Sequence, residues 1–156
     1  MMMVTPMIRP ATEEDLPAIQ ALTKRANDRR QRAFLGDQNA DRSMSDTIME
    51  DDITLHLPHC KVILTNDLIV GFIIYFDNLI HLMIIDPDLQ REGLGSCLLE
   101  YAEAQLFDQG NSIIRLETYE DNRQAMNFYR KNGWTVTKKE KGTTGKVRVF
   151  FDKTKH

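Results

Sequence analysis

The sequence predicts an α/β fold, and three observations carry that expectation: a block of strand-like segments apolar on nearly every position, amphipathic helical segments around it, and a glycine-bearing junction leading from a strand into a helix. Cys60 to Thr65, Leu68 to Phe76 and Leu79 to Ile85 are the strand candidates, separated by the turn-forming pairs Asn66-Asp67 and Asp77-Asn78. A strand with one wet face alternates apolar and polar residues. These do not, so helices are expected on both faces of the sheet.

The flanking elements follow from local signals. Met7 to Pro10 reads as a short first strand. Thr12 before Glu13, Glu14 and Asp15 is a helix start, with a hydroxyl to accept from orphan amides and acids at the positive helix end. Leu16, Ile19 and Leu22 then recur at helical spacing. From about Lys24 to Arg42 apolar periodicity is lost among charged residues, and a mobile connection is expected there; a weaker helix runs from about Ser45 to Leu57, stopped by Pro58. Leu94, Cys97, Leu98, Tyr101, Ala102 and Leu106 define an amphipathic helix ended by Gly110. Ile113 to Thr118 is a further strand, Arg123 to Asn132 a shorter helix closed by Gly133, and Trp134 to Lys138 with Lys146 to Phe151 a final hairpin.

A length of 156 residues suits one domain, expected over residues 7–156 with Met1 to Pro6 as a disordered extension. Hydrophobic residues make up 42% and charged residues 28%, a globular composition. The formal charge of -3 supplies no chain-wide basic field, which argues against nucleic acid and anionic membranes as partners. Two cysteines, Cys60 and Cys97, are too few for a disulfide framework. No secretory signal or membrane-length apolar run is present, and a cytoplasmic location is expected. His56 and His59 have metal-ligand spacing, but Pro58 between them and the lack of a nearby acidic cluster argue against a metal, and none is expected.

The densest chemical signal is Asp86-Pro87-Asp88-Leu89-Gln90-Arg91-Glu92-Gly93-Leu94-Gly95-Ser96, where a buried strand passes through a loop into a helix. Such a junction turns unpaired amides and the positive helix end toward one point, which suits a phosphate or pyrophosphate. A tight structural turn gives the same residues. A dinucleotide fingerprint is excluded by the missing third glycine, and a P-loop by the missing Gly-Lys-Ser/Thr.

Gln90-Arg91-Glu92-Gly93-Leu94-Gly95 resembles the acetyl-CoA loop Gln/Arg-x-x-Gly-x-Gly/Ala of the GCN5-related N-acetyltransferases. The resemblance extends from Met7 to Pro10, through Asp86-Pro87, to a later motif running from Asn122 through Tyr129 to Asn132-Gly133-Trp134. It implies that family's fold: a central mixed, mostly antiparallel sheet of about six to seven strands, splayed in the middle between Leu79 to Ile85 and Ile113 to Thr118, with helices on both faces. It further implies that Gln90, Arg91, Glu92, Gly93, Leu94, Gly95 and Ser96 hold the CoA pyrophosphate. Met83, Ile84 and Ile85 would pair with the pantetheine arm, and a backbone N–H there would face the acetyl carbonyl.

Asn122 and Tyr129, seven residues apart, match the family's CoA-contacting asparagine and its tyrosine proton donor. A phenol with an unperturbed pKa near 10 stays protonated at neutral pH and suits donation to a thiolate near 8.5. The competing reading is that Tyr129 fills the core face of its helix with Ala125 and Phe128. An ammonium acceptor must lose a proton, and His81, which interrupts an apolar strand, is the candidate base beside a water chain; Glu117 and Tyr119 are fallbacks.

The activity implied is transfer of the acetyl group of acetyl-CoA to a primary amine of a small molecule, peptide or protein, by direct attack in a ternary complex and without metal. Two alternatives are a non-catalytic acyl-CoA-binding regulatory module and an aminoacyl-tRNA-acetylating toxin, the latter calling for a basic surface. By the same resemblance, arginines between Lys24 and Arg42 lie where the family binds its acceptor and would hold an acidic acceptor or tRNA; a solvated loop is the favoured reading of the same residues. An edge strand near Trp134 or Phe150 offers a pairing surface for a homodimer.

Overall fold

The computed structural model describes residues 5–33, 49–90, 92–143 and 145–155. In chain order the elements are β1 (Met7–Pro10), α1 (Leu16–Ala33), α2 (residues 49–55), β2 (Cys60–Thr65), β3 (Leu68–Phe76), β4 (Leu79–Ile85), α3 (Leu94–Asp108), β5 (Ile113–Tyr119), α4 (Arg123–Lys131), β6 (Thr135–Lys141) and β7 (Val147–Thr154). The strands form one mixed sheet in the order β1-β2-β3-β4-β5-β7-β6. β1 with β2, β2 with β3, β5 with β7 and β6 with β7 are antiparallel, whereas β4 and β5 run parallel and pair at a single register, Leu79 opposite Arg115. The expected GCN5-related fold is present, with one pair of strands joined only at their starts.

Two compact units make up the chain: Met1–Ile74 with Leu82–Leu99, and Tyr75–His81 with Glu100–His156. In the first, Val70 to Ile74 are all buried, the expected pattern of a strand covered on both faces. The Asn66-Asp67 turn adopts the left-handed backbone of a two-residue hairpin, φ 51° and 65°. Gly71 is a close-packing position: a Cβ there would lie 2.5 Å from Ile85 Cδ1, 3.0 Å from the Ile84 carbonyl and 3.1 Å from Ile63 Cγ2. The middle of β3 thus lies tightly against the end of β4.

The mobile connection expected from Lys24 onward is corrected over residues 24–33, which continue α1. The reason is that the segment needs no apolar stripe: its Lys, Arg, Gln and Ala residues are good helix formers, and Arg25 and Arg29 are anchored by ion pairs to Asp86 and Asp88. Residues 34–42, like the first part of the expected Ser45–Leu57 helix and most of the expected Met1–Pro6 extension, fall outside the described residues; 49–55 are helical.

The start of α1 is locked by Asp15. Its Oδ2 accepts from the Thr12 amide at 2.8 Å, reciprocating the turn, while Arg9 donates through Nη1 to Oδ2 at 2.8 Å and through Nη2 to Oδ1 at 3.0 Å. The Arg9 guanidinium, with help from the Thr12 amide, brings the Asp15 carboxyl down to about 2.

In the second unit, β5 alternates: Ile114 and Leu116 are buried while Arg115, Glu117 and Tyr119 are exposed. Arg115 pairs with Asp152 at 3.4 Å and Arg148 with Glu117 at 3.6 Å on the wet side. On the covered side, Glu103 of α3 is buried between two donors distant in the sequence. Trp134 Nε1 donates to its Oε2 at 2.9 Å, and Lys153 Nζ donates to its Oε1 at 2.7 Å and to the Asn132 carbonyl at 2.9 Å. One carboxylate therefore ties α3 to the residues that follow α4 and to β7.

Two stability predictions result. Because Asp15 titrates lower in the folded chain than its unfolded value near 4, its contribution is present above that value and is lost as pH falls toward about 2. Asp15→Asn should lower the melting temperature at pH 7 and flatten the acid limb of a stability-against-pH curve; identical acid limbs would contradict this. Glu103→Gln keeps an acceptor for the indole but leaves Lys153 without its counter-charge, and should cost roughly 3 kcal/mol. Denaturant unfolding followed by the emission of Trp134, the single tryptophan, measures it.

Candidate active site

In the first unit the site is built on the end of β4. Ile84 and Ile85 are buried, Met83 is half-buried, and the Asp86 amide donates to the Val70 carbonyl at 2.8 Å, holding the strand end against β3. Asp86 then caps a short 3-10 turn over Pro87–Leu89, its Oδ1 accepting from the Asp88 amide at 3.0 Å. The Leu89 amide returns to the Asp86 carbonyl at 2.8 Å. These bonds give the loop a fixed entry.

Its exit depends on Gly93. With φ 79° this residue occupies the left-handed region that a side chain disfavours, and a Cβ there would meet nothing within 4 Å. The glycine is thus required by backbone direction and opens onto free space. The first i to i-4 bond at the start of α3 is donated by Cys97 to the Gly93 carbonyl at 3.1 Å, so the amides of Leu94, Gly95 and Ser96 precede the helical ladder. A helix start with amide donors, no side chain at Gly93 and open space before it fits a pyrophosphate. The residues present therefore fit the CoA group that the motif implies; Gln90, Glu92 and Gly93 to Ser96 lie on this junction, and Arg91 falls outside the described residues.

The second unit carries the other expected residues. Asn122 is the N-cap of α4, its Oδ1 accepting from the Ala125 amide at 3.2 Å, so this side chain has a structural task of its own. Tyr129 is half-buried on α4, its ring 5.8 Å from that of Phe151, 6.3 Å from Trp134 and 5.4 Å from Phe128. It packs as the structural reading expects, and half-exposure leaves part of it accessible. Because Trp134 is fixed by Glu103, the same buried carboxylate orients the ring against which Tyr129 rests.

His81 is half-buried, with its ring 5.5 Å from Phe76. Glu117 faces Arg148, and Tyr119 is 49% exposed with Lys146 Nζ 5.6 Å from its ring centre, so both fallbacks already serve surface contacts. His56 Nε2 lies 3.5 Å from Asp52 Oδ1 in the first unit. Cys60 is buried, and burial pushes its thiol up to about 12, which removes it as a nucleophile at neutral pH. Sequence reasoning missed Glu103 and considered Arg25 and Arg29 only for the acceptor; their contacts to Asp86 and Asp88 are recognisable only through partners distant in the chain.

Comparison with known proteins agrees with this geometry. The sequence profile of the acetyltransferase (GNAT) family matches residues 15–134. No curated protein sequence matches the chain. Among solved structures, a GCN5-related N-acetyltransferase from Rhodopseudomonas palustris is 17% identical with a TM-score of 0.82, covering 99% of each chain. The PaiA N-acetyltransferase from Thermoplasma acidophilum, solved in complex with coenzyme A, is 16% identical with a TM-score of 0.79, covering 97% of this chain and 99% of that one. An Escherichia coli ribosomal-protein alanine N-acetyltransferase is 18% identical with a TM-score of 0.70, covering 96% and 94%. At these identities the structures establish the shared fold. No helix among the described residues is long and apolar enough to cross a membrane. The matched profile covers well over half of the chain, residues 15–134, and with the loop at Gly93 and the strand pair joined at Leu79 and Arg115 it assigns the chain to the GNAT family of N-acetyltransferases.

Proposed function

We propose that the protein transfers the acetyl group of acetyl-CoA to a primary amine of a small molecule, peptide or protein by direct attack within a ternary complex. The observation that carries this reading is the β4-to-α3 junction, where the left-handed Gly93 and the opening amides of α3 form a site suited to pyrophosphate. Acetyl-CoA supplies the activated thioester. The chain binds the phosphates at Gln90 to Ser96 and aligns the pantetheine arm along Met83, Ile84 and Ile85. A backbone amide in that strand end faces the acetyl carbonyl, where developing negative charge would be stabilised.

Tyr129 Oη holds the proton given to the leaving thiolate, and Asn122 steadies the helix that carries it. His81, or a water chain leading to it, takes the proton of the incoming ammonium; its half-exposed position in an otherwise apolar strand supports that role. The name of the Escherichia coli relative specifies an alanine of a ribosomal protein as its acceptor, which makes a peptide amine one member of the acceptor class considered. The cytoplasm remains the expected setting of this reaction.

Two measurements test the proposal. Thermal unfolding with acetyl-CoA, CoA, ATP and NAD in parallel should show stabilisation by the two CoA species alone, roughly 2.7 kcal/mol at about 100 times Kd. Stabilisation by ATP or NAD instead, or by none, would remove the cofactor reading. Tyr129→Phe should retain acetyl-CoA affinity while turnover falls by roughly 10² to 10⁴; unchanged turnover removes Tyr129 from the chemistry, and thiol release undetectable with any amine in a chain that binds acetyl-CoA supports the regulatory module.

A further inference from the structure

The loop suited to phosphate is itself acidic. Between Asp86 and Ser96 it carries Asp86, Asp88 and Glu92 against one arginine, Arg91. Uncompensated carboxylates beside a pyrophosphate oppose binding, because like charges repel over the Debye length of about 8 Å at physiological salt. For Asp86 and Asp88 the opposing charge comes from α1. Arg25 Nη2 reaches Asp86 Oδ2 at 2.9 Å, and Arg29 Nη2, one helical turn later, reaches Asp88 Oδ1 at 2.6 Å. The two pairs form a ladder, with successive turns of α1 matched to residues on either side of Pro87.

The rungs differ in character. The Asp86 side chain is only 13% exposed and also caps the turn, so its pair with Arg25 shapes the loop entry. Asp88 and Arg29 are 56% and 54% exposed, and a pair so open to water adds little to folding stability. Its effect should instead fall on an anion arriving beside it.

Resting on the acetyl-CoA reading above, we propose that Arg25 and Arg29 are positioning residues for the cofactor phosphates: α1 neutralises Asp86 and Asp88 and thereby makes an acidic loop receptive to a polyanion. Arg29 acts through Asp88, and Arg25 through the cap formed by Asp86. Cofactor affinity is consequently tied to the placement of α1.

Calorimetric titration with CoA and with acetyl-pantetheine, which lacks the phosphates, tests the inference on the wild type, Arg29→Gln, Arg29→Lys, Asp88→Asn and the Arg29→Gln/Asp88→Asn double variant. Arg29→Gln should weaken CoA binding by roughly 3- to 10-fold at about 50 mM salt and by much less at about 500 mM, as expected of a screened charge effect. Asp88→Asn should bind CoA at least as tightly as wild type, the double variant should return close to wild-type affinity, and Arg29→Lys should rescue most of the loss. Acetyl-pantetheine affinity should be the same in all of them. An Arg29→Gln variant that binds CoA like the wild type overturns the inference, as does one that loses CoA and acetyl-pantetheine equally. A wild-type chain that fails to bind CoA overturns the cofactor reading itself.

Discussion

The chain must leave a buried strand and enter a helix within a few residues while keeping the first helical amides turned outward. That constraint falls on Gly93, whose left-handed φ of 79° redirects the backbone at the foot of α3. The turn is useful only if the strand before it is stationary, and β3 provides this. A Cβ on Gly71 would crowd the Ile84 carbonyl and the end of the Ile85 side chain, and the Val70 carbonyl takes the Asp86 amide. Two glycines thus act in sequence, one through close approach and one through backbone direction. The three paired carboxylates Asp15, Asp86 and Asp88 place β1, α1 and the loop around that support.

In the second unit the corresponding element is a buried charge. Glu103 is satisfied by the indole of Trp134 and the ammonium of Lys153, and Lys153 also serves the Asn132 carbonyl at the end of α4. Buried ion pairs contribute little net stability against apolar packing but are costly to break, so this one fixes geometry more than it adds energy. Its beneficiary is the ring of Tyr129, held between Trp134 and Phe151. The packing fits the structural reading of that tyrosine, and its half-exposed position leaves the ring reachable, as the proposed donor role requires.

Much of this architecture was legible because burial leaves a pattern. β1, β2, β3 and β4 coincide with the expected segments because their limits are set by turn residues, and Leu94 opens α3 where apolar spacing begins. Elements built from polar residues were read short. The second half of α1 has no apolar stripe, and its anchoring Arg25–Asp86 contact spans 61 positions. β6 runs on through Lys139 to Lys141 because β7 pairs with it, although nearly all its residues are exposed. Within the site, the glycine loop announced itself through spacing, whereas Glu103 looked like one more acid on an amphipathic helix. α4 starts at Arg123 as expected, but Asn122 was noticed only for a ligand role, and its capping bond from the Ala125 amide leaves no mark in the sequence beyond its place just before the helix.

The central claim is that the opening amides of α3 receive the cofactor phosphates, and backbone amide shifts during a CoA titration report on it most directly. The account predicts that the largest shifts in the nitrogen–proton spectrum fall on Gly93, Leu94, Gly95 and Ser96, with smaller ones along Met83 to Ile85. Acetyl-pantetheine should perturb Met83 to Ile85 while leaving the four loop amides nearly unmoved. Shifts concentrated elsewhere, or an unchanged spectrum at saturating CoA, would contradict the account.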